Sequence, residues 1–128
     1  LTVDNVLLWQ TGFGGRTAFG KGHPEHDPHH YSAARMLERG EPDALLWISS
    51  FTAARAPGPA ATPTVVLGRA GMTFQREPEV FIPVGTPGVD HPGHLFRTDR
   101  VVVLSLRQLR QSNVPSVAEA IAAIEAAL

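Results

Sequence analysis

Every histidine in the chain lies in one of two Gly/Pro-rich stretches. His23, His26, His29 and His30 fall in TGFGGRTAFGKGHPEHDPHH, and His91 and His94 in DHPGH. With Glu25 and Asp27 among them, the first group could supply imidazole and carboxylate ligands to zinc, and the HxxH of His91 and His94 could complete the set. The spacing opposes this, because Pro24 and Pro28 keep His23 and His26 off one helical face and no HExxH register is present. Histidines hydrogen-bonded within a loop, or lining an organic ligand, are the simpler outcome. A metal set of His23, His26, His91 and His94 stays open as the alternative.

The same segment carries Gly15-Arg-Thr-Ala-Phe-Gly20-Lys21, nearly the phosphate-binding GxxxxGK[ST] loop. Gly22 stands where the magnesium-binding hydroxyl belongs, and His-Pro follows where the helix that holds the phosphates must begin. GFGG fails the dinucleotide fingerprint too, since Thr17 occupies its sixth position. A nucleotide loop is therefore excluded. Ser49 and Ser50 close an apolar run without the GxSxG elbow that a hydrolase needs, and strand-end serines ordinarily bond to the backbone. Trp9, Trp47 and Phe51 are expected in the core.

A small-molecule pocket along Thr11–His23 fits these residue types better. Glycines let a ligand approach the backbone, and Arg16 and Lys21 could hold an acidic group. A loop at the carboxyl end of a strand is where open α/β sheets bind ligands. The candidate wall is Thr11, Gly12, Arg16, Lys21, Gly22 and His23. An irregular loop packed against a neighbouring domain is the competing outcome.

The elements that must position these loops follow from pattern. Val3–Gln10 is expected as a strand. Asp27-Pro28 marks a helix start, with Tyr31, Ala34 and Leu37 at helical spacing and Gly40 as the left-handed stop. Ala44–Ser49 is expected as a fully buried strand of parallel type, followed by a loop over 51–63 with one helical turn at Thr52–Arg55. Thr64–Leu67 and Glu79–Val84 are further strands, and 86–94 is a loop. Leu95-Phe96 and Val101–Leu106 should pair across Thr98-Asp99. Ser116 and Glu119 form a capping box for a last helix with the stripe Val117, Ile121, Ile124 and Leu128. The order predicts an α/β domain with a mainly parallel sheet in three α/β/α layers, Rossmann-like, plus a short hairpin in the C-terminal half.

Composition narrows the function classes. The 128 residues fit a single domain with one core. Eleven basic and twelve acidic residues give a net charge of −1 without runs, so there is no electrostatic footprint for nucleic acid or an anionic membrane. The absence of cysteine excludes disulfides, zinc–thiolate and iron–sulfur ligation and a Cys nucleophile. The longest apolar run is too short to span a bilayer, and the first residues carry no signal-peptide pattern. The expectation is a cytoplasmic piece of something longer.

Two long segments resemble a known family. WQTGFGGRTAFGKGHPEHDPHHYSAARMLERGEPDALLWISSF and EVFIPVGTPGVDHPGHLFRTDRVV are similar to the later part of formylmethanofuran dehydrogenase B subunits, and most of all to their bacterial relatives in formyltransferase/hydrolase complexes. The WxTGF segment, the F-[SG]-[RK]-G-[YH]-P loop and the DALLWIS strand carry the likeness, which spans about residues 5–110. The family belongs to the molybdopterin oxidoreductases. The resemblance therefore implies a wall of a bis-pterin tungsten or molybdenum site in the dehydrogenase. In the bacterial complex it implies a reduced subunit without a redox centre, where a formyl group is transferred and hydrolysed to formate.

Two departures matter. No cysteine is present, so the metal-ligating and iron–sulfur cysteines of the dehydrogenase would belong to an upstream part. The superfamily's G-T-x-x-N-x-E-G-R appears as Gly93-His-Leu-Phe-Arg97-Thr-Asp99-Arg100-Val, which suits the cofactor-free reading. The expectation is thus the C-terminal domain of a B subunit in one-carbon metabolism, cofactor-free and structural. Its partners would be the upstream part of its own subunit and the other subunits of the complex, and it would be inactive in isolation. Molybdopterin with tungsten or molybdenum belongs only to the alternative of a redox-active dehydrogenase. A stand-alone metal-dependent hydrolase is the further alternative.

Overall fold

A computed structural model describes residues 7, 8, 10–54, 56, 62–74, 76–97 and 102–128. They form a mixed α/β structure of short elements: β1 (Thr17–Ala18), β2 (Glu25–His26), α1 (Ala33–Glu38), β3 (Leu45–Ser49), β4 (Thr64–Arg69), β5 (Val80–Val84), β6 (Gly93–Arg97), β7 (Val102–Leu106) and α2 (Val117–Ala127). Two compact units emerge. One is built from the segment up to Pro42 with Phe96–Leu104, the other from Asp43–Ala56, Ala60–Leu95 and Ser105–Leu128.

The second unit is organised by a parallel three-stranded sheet in the order β3-β4-β5. Its register sets Leu46, Val65 and Val80 in one row and Ile48, Leu67 and Ile82 in the next, on one face. Helix α2 packs there, with Ala120, Val117 and Ile121 against Leu67, Ile82 and Val84. Leu67, Val66 and Val84 are the most deeply buried side chains, each adding about 1.5–3 kcal/mol of burial free energy as an upper estimate. Trp47, Val66 and Phe81 occupy the opposite face and are covered by loops. Trp47 donates its indole N–H to the Ala54 carbonyl at 3.1 Å, and Phe74 meets Phe81 edge to face at 5.1 Å. Gly68 makes room for Met72, whose sulfur lies 2.5 Å from where a Cβ would stand.

Helix α2 begins as the capping box demands. Ser116 Oγ accepts the Glu119 N–H, and Glu119 accepts the Ser116 N–H at 2.7 Å. Of its expected stripe, Val117, Ile121 and Ile124 are half-buried and Leu128 is fully exposed. Gly40 ends α1 at φ 66°, with Gly40 N–H on the Leu37 carbonyl and Glu41 N–H on that of Met36. That pair of bonds is the Schellman stop.

Several expectations are corrected. The segment Val3–Gln10 is not a strand where it is described: Leu7, Leu8, Gln10 and Thr11 are helical. Gly12 N–H bonds to the Leu8 carbonyl and Thr11 Oγ1 to that of Leu7, both four residues back. Residues 3–6 and Trp9 lie outside the described residues. Asp27 opens a single turn rather than the helix: its carboxylate accepts the His29 and His30 N–H groups at 2.8 Å as an N-cap does, but the helical conformation does not continue beyond that turn. The chain becomes extended at Ser32, φ −69° and ψ 118°, and the His30 carbonyl accepts from the Arg39 guanidinium. Helix α1 therefore restarts at Ser32.

Strand β3 is not fully buried. It is the edge of the sheet, with Leu46 and Ile48 about half exposed. Phe51 is exposed rather than core. No helical turn forms over Thr52–Ala54, because Ser49 Oγ donates to the Thr52 carbonyl and accepts the Ala54 N–H; Arg55 lies outside the described residues. Strand β6 starts at Gly93, so His94 belongs to a strand and not to the preceding loop. The turn expected at Thr98-Asp99 falls outside the described residues.

Candidate functional site

In the first unit the glycine-rich loop is closed by the two-residue ladder of β1 and β2, pairing Thr17 with His26 and Ala18 with Glu25. The turn between them needs Gly22 at φ 78°, and no helix follows Lys21, as the defective phosphate-loop pattern requires. Before the ladder, Thr11 Oγ1 lies within hydrogen-bond distance of the Leu7 and Phe13 carbonyls, which share its single proton, and accepts the Phe13 N–H, turning the chain through Gly12 at φ 77°. Arg16 takes the left-handed conformation at φ 61°, alone among the described non-glycine residues. Such a conformation costs about 1–3 kcal/mol and persists only when its surroundings impose it. Here the Arg16 carbonyl accepts the Asp27 N–H.

The polar centre of this loop is Glu25, which the sequence pattern offers only as a metal-ligand candidate. Lys21 Nζ donates to it at 3.1 Å, the Tyr31 hydroxyl at 2.8 Å, and His23 Nε2 stands 3.8 Å away. The hydrogen bond from Tyr31, then that from Lys21, holds the Glu25 carboxyl below its ordinary range. Glu25 in turn raises both Lys21 and Tyr31. At neutral pH the cluster is a carboxylate, an ammonium and a neutral phenol bonded to one another. A carboxylate so stabilised is a weak general base, so the cluster is suited to shaping the loop rather than to proton transfer.

The structure therefore brings Lys21 and His23 together around Glu25 and gives Thr11, Gly12 and Gly22 turn-forming roles. The exposed Arg16 side chain has no partner among the described residues. His26 stacks over Gly14, where an added Cβ would meet its ring at 3.4 Å. His29 and His30 sit on the Asp27 turn, and His30 meets Tyr31 edge to face.

The second histidine loop is locked differently. Asp90 is buried and accepts the Thr86 N–H at 2.9 Å and Arg110 Nε at 2.6 Å. Arg110 first, then the Thr86 amide, pushes its carboxyl below the usual range. Gln108 donates to the carbonyls of Asp90 and Arg110, and Thr86 Oγ1 to that of Ser50. His91 has one ring nitrogen 2.7 Å from the Pro92 carbonyl and the other 3.3 Å from that of Gly85. His94 is exposed on β6. Gly85 lies so close to Asp90 that a Cβ would stand 2.9 Å from the aspartate Cβ. His23 and His26 fall in one unit and His91 and His94 in the other. Among the described residues no group of three His, Cys, Asp or Glu could hold a metal ion.

No family model matches the chain. Two curated proteins do. Over 121 residues, 93% of this chain, it is 33% identical to the B subunit of the formyltransferase/hydrolase complex of Methylorubrum extorquens. Over 105 residues, 78% of this chain, it is 30% identical to the B subunit of the tungsten-containing formylmethanofuran dehydrogenase 2 of Methanocaldococcus jannaschii. The crystal structure of the Methylorubrum complex, solved with methylofuran, contains a chain that superposes with a TM-score of 0.76 at 30% identity over 97% of this chain. These matches cover 33%, 24% and 35% of the relatives' own lengths, so this chain spans about a third or less of each. Sequence and fold agree: the chain is homologous to the B subunits of the formyltransferase/hydrolase complex and of formylmethanofuran dehydrogenase.

Proposed function

We propose that this chain is the C-terminal, scaffolding domain of a B-type subunit in a cytoplasmic formyltransferase/hydrolase complex of one-carbon metabolism, where a formyl carrier is converted to formate. The observation that carries this is the 33% identity over 93% of the chain, joined to a superposition of equal extent on the complex solved with methylofuran. The chemistry supports a structural role. Lys21, Glu25 and Tyr31 of the glycine-rich loop are paired with one another, and the Asp90 carboxylate is tied to Arg110 and a backbone amide. In the assembled subunit the sheet would acquire its third layer, with α2 as one helical layer.

The chain has no cysteine, so a thiolate ligand for the metal centre of the dehydrogenase would have to come from the upstream part of the subunit. Thr11, Gly12, Arg16, Lys21, Gly22 and His23 would then line a residual ligand pocket, with Arg16 as its acid-binding group. The left-handed Arg16 and the glycines on either side support that assignment.

The test is purification through a tag on this chain in its native host. Formyltransferase and hydrolase subunits should co-purify, release formate from a formyl-carrier substrate, and contain no stoichiometric tungsten or molybdenum by elemental analysis. Tungsten or molybdenum at one per complex would instead establish the dehydrogenase reading, which the 30% identity to the tungsten enzyme's subunit favours.

A further inference from the structure

We propose that the open edge of β3, with the apolar strip beside it, is the joint at which this chain meets the remaining part of a B-type subunit. The inference rests on the proposed function only for the identity of the occupant. Leu46 and Ile48 of β3 are 48% and 46% exposed, yet they lie in the same two rows as Val65, Leu67 and Ile82. Leu67 is wholly buried, and Ile48 is its direct neighbour in the register. Helix α2 covers the Leu67–Ile82–Val84 side of this face and leaves the β3 side bare. Parallel sheets are otherwise found with both faces covered.

The edge itself is equally open. Leu45 donates its N–H to the Pro63 carbonyl, on the β4 side. Strand alternation then turns the N–H groups of Leu46 and Ile48 outward, where no strand among the described residues meets them. Edges that must stay solvated usually carry charge, proline or a bulge; LLWIS has none of these. A strand from another segment, followed by an apolar layer over Leu46 and Ile48, satisfies both the amides and the side chains.

The chemistry selects the occupant. The strip holds no charged side chain, so it suits an apolar protein surface and not a phosphate or a nucleic acid. The stretch matched in the Methylorubrum protein is only 33% of its length. About two thirds of that polypeptide thus lies outside the match, ample to supply strands and a covering layer.

Amide hydrogen exchange tests the proposal without any substitution. In the isolated 128-residue chain Leu46 and Ile48 should exchange fast. In the full-length subunit or complex that contains the chain they should slow at least ~10-fold, as edge amides do when they acquire partners. Ile48→Asp should cut recovery of that assembly by the same order, while Val103→Asp, at an exposed site on β7, serves as the control. Equal exchange in both states, or undiminished assembly of a folded Ile48→Asp variant, overturns the proposal. A dimer of the isolated chain that Ile48→Asp dissolves, and that persists in the complex, also overturns it and assigns the strip to a second copy. Failure to co-purify any formyltransferase or hydrolase subunit defeats the functional reading instead, whatever the exchange shows.

Discussion

The two units solve the problem of holding a loop in opposite ways. Around the sheet, order comes from burial: Leu67, Val66 and Val84 exclude water, and the Asp90 loop is tied to Gly85 and Thr86, just past the end of β5. Around the glycine-rich segment there is no comparable core. Among the described residues of that unit only Leu37 is buried, and the chain is shaped by turn hydrogen bonds, left-handed glycines and the Lys21–Glu25–Tyr31 cluster. Burial is cooperative and insensitive to pH, whereas exposed polar contacts are local, weak and tunable. The histidine-rich segment that looks most like a site is therefore the one with the least intrinsic rigidity. A neighbouring surface or a ligand has the most to add there.

The largest effect should come from the core. Leu67→Ala is expected to cost ~2–5 kcal/mol in a urea titration. Residue-level exchange then asks whether the Asp27–Gly40 segment loses protection together with the sheet. If it does, the two units share one cooperative core and the contrast between them fails. Gly40→Ala should cost ~1–2 kcal/mol, because a Cβ is forced into the left-handed stop; exchange should show the loss at α1 before the sheet. Ser116→Ala removes the α2 cap and should cost ~1 kcal/mol, read as a lowered Tm.

Acid should separate the loops more gently. The folded-state carboxyl of Asp90 lies below its unfolded value, so its contribution is complete above about pH 4. It is lost as pH falls from there through the folded value. Thermal midpoints measured on the descent to about pH 2 should drop less steeply in Asp90→Asn than in the parent; equal slopes would show that Asp90 does not set the acid response. Glu25→Gln should be the mildest change, leaving Tm in place. It should let Tyr31 titrate closer to the ordinary value of about 10. Tyr31 is the only tyrosine, so absorbance in an alkaline titration reports it alone.

What could be read from the chain was local. The capping box at Ser116 and Glu119, the stop at Gly40 and the three strands around Leu45–Ser49, Thr64–Arg69 and Val80–Val84 depend on neighbours within a few residues. The failure of the GxxxxGK pattern to begin a helix was legible for the same reason. The family likeness was legible because whole segments carried it. Asp27 misled because a good cap and Pro28 start a turn regardless of whether the helix continues. Here it does not, because the backbone becomes extended at Ser32.

The sequence by itself thus determined where the chain turns, which runs become strands and which family it descends from, all properties written in short-range chemistry or in segment identity. Only the tertiary structure decided that Glu25 is the hub of the candidate loop. It alone decided that Arg110 locks Asp90 across twenty residues, and that β3 presents a bare face. An apolar run records how much surface must be covered; which side is covered, and by what, is settled by contacts between residues far apart in the chain.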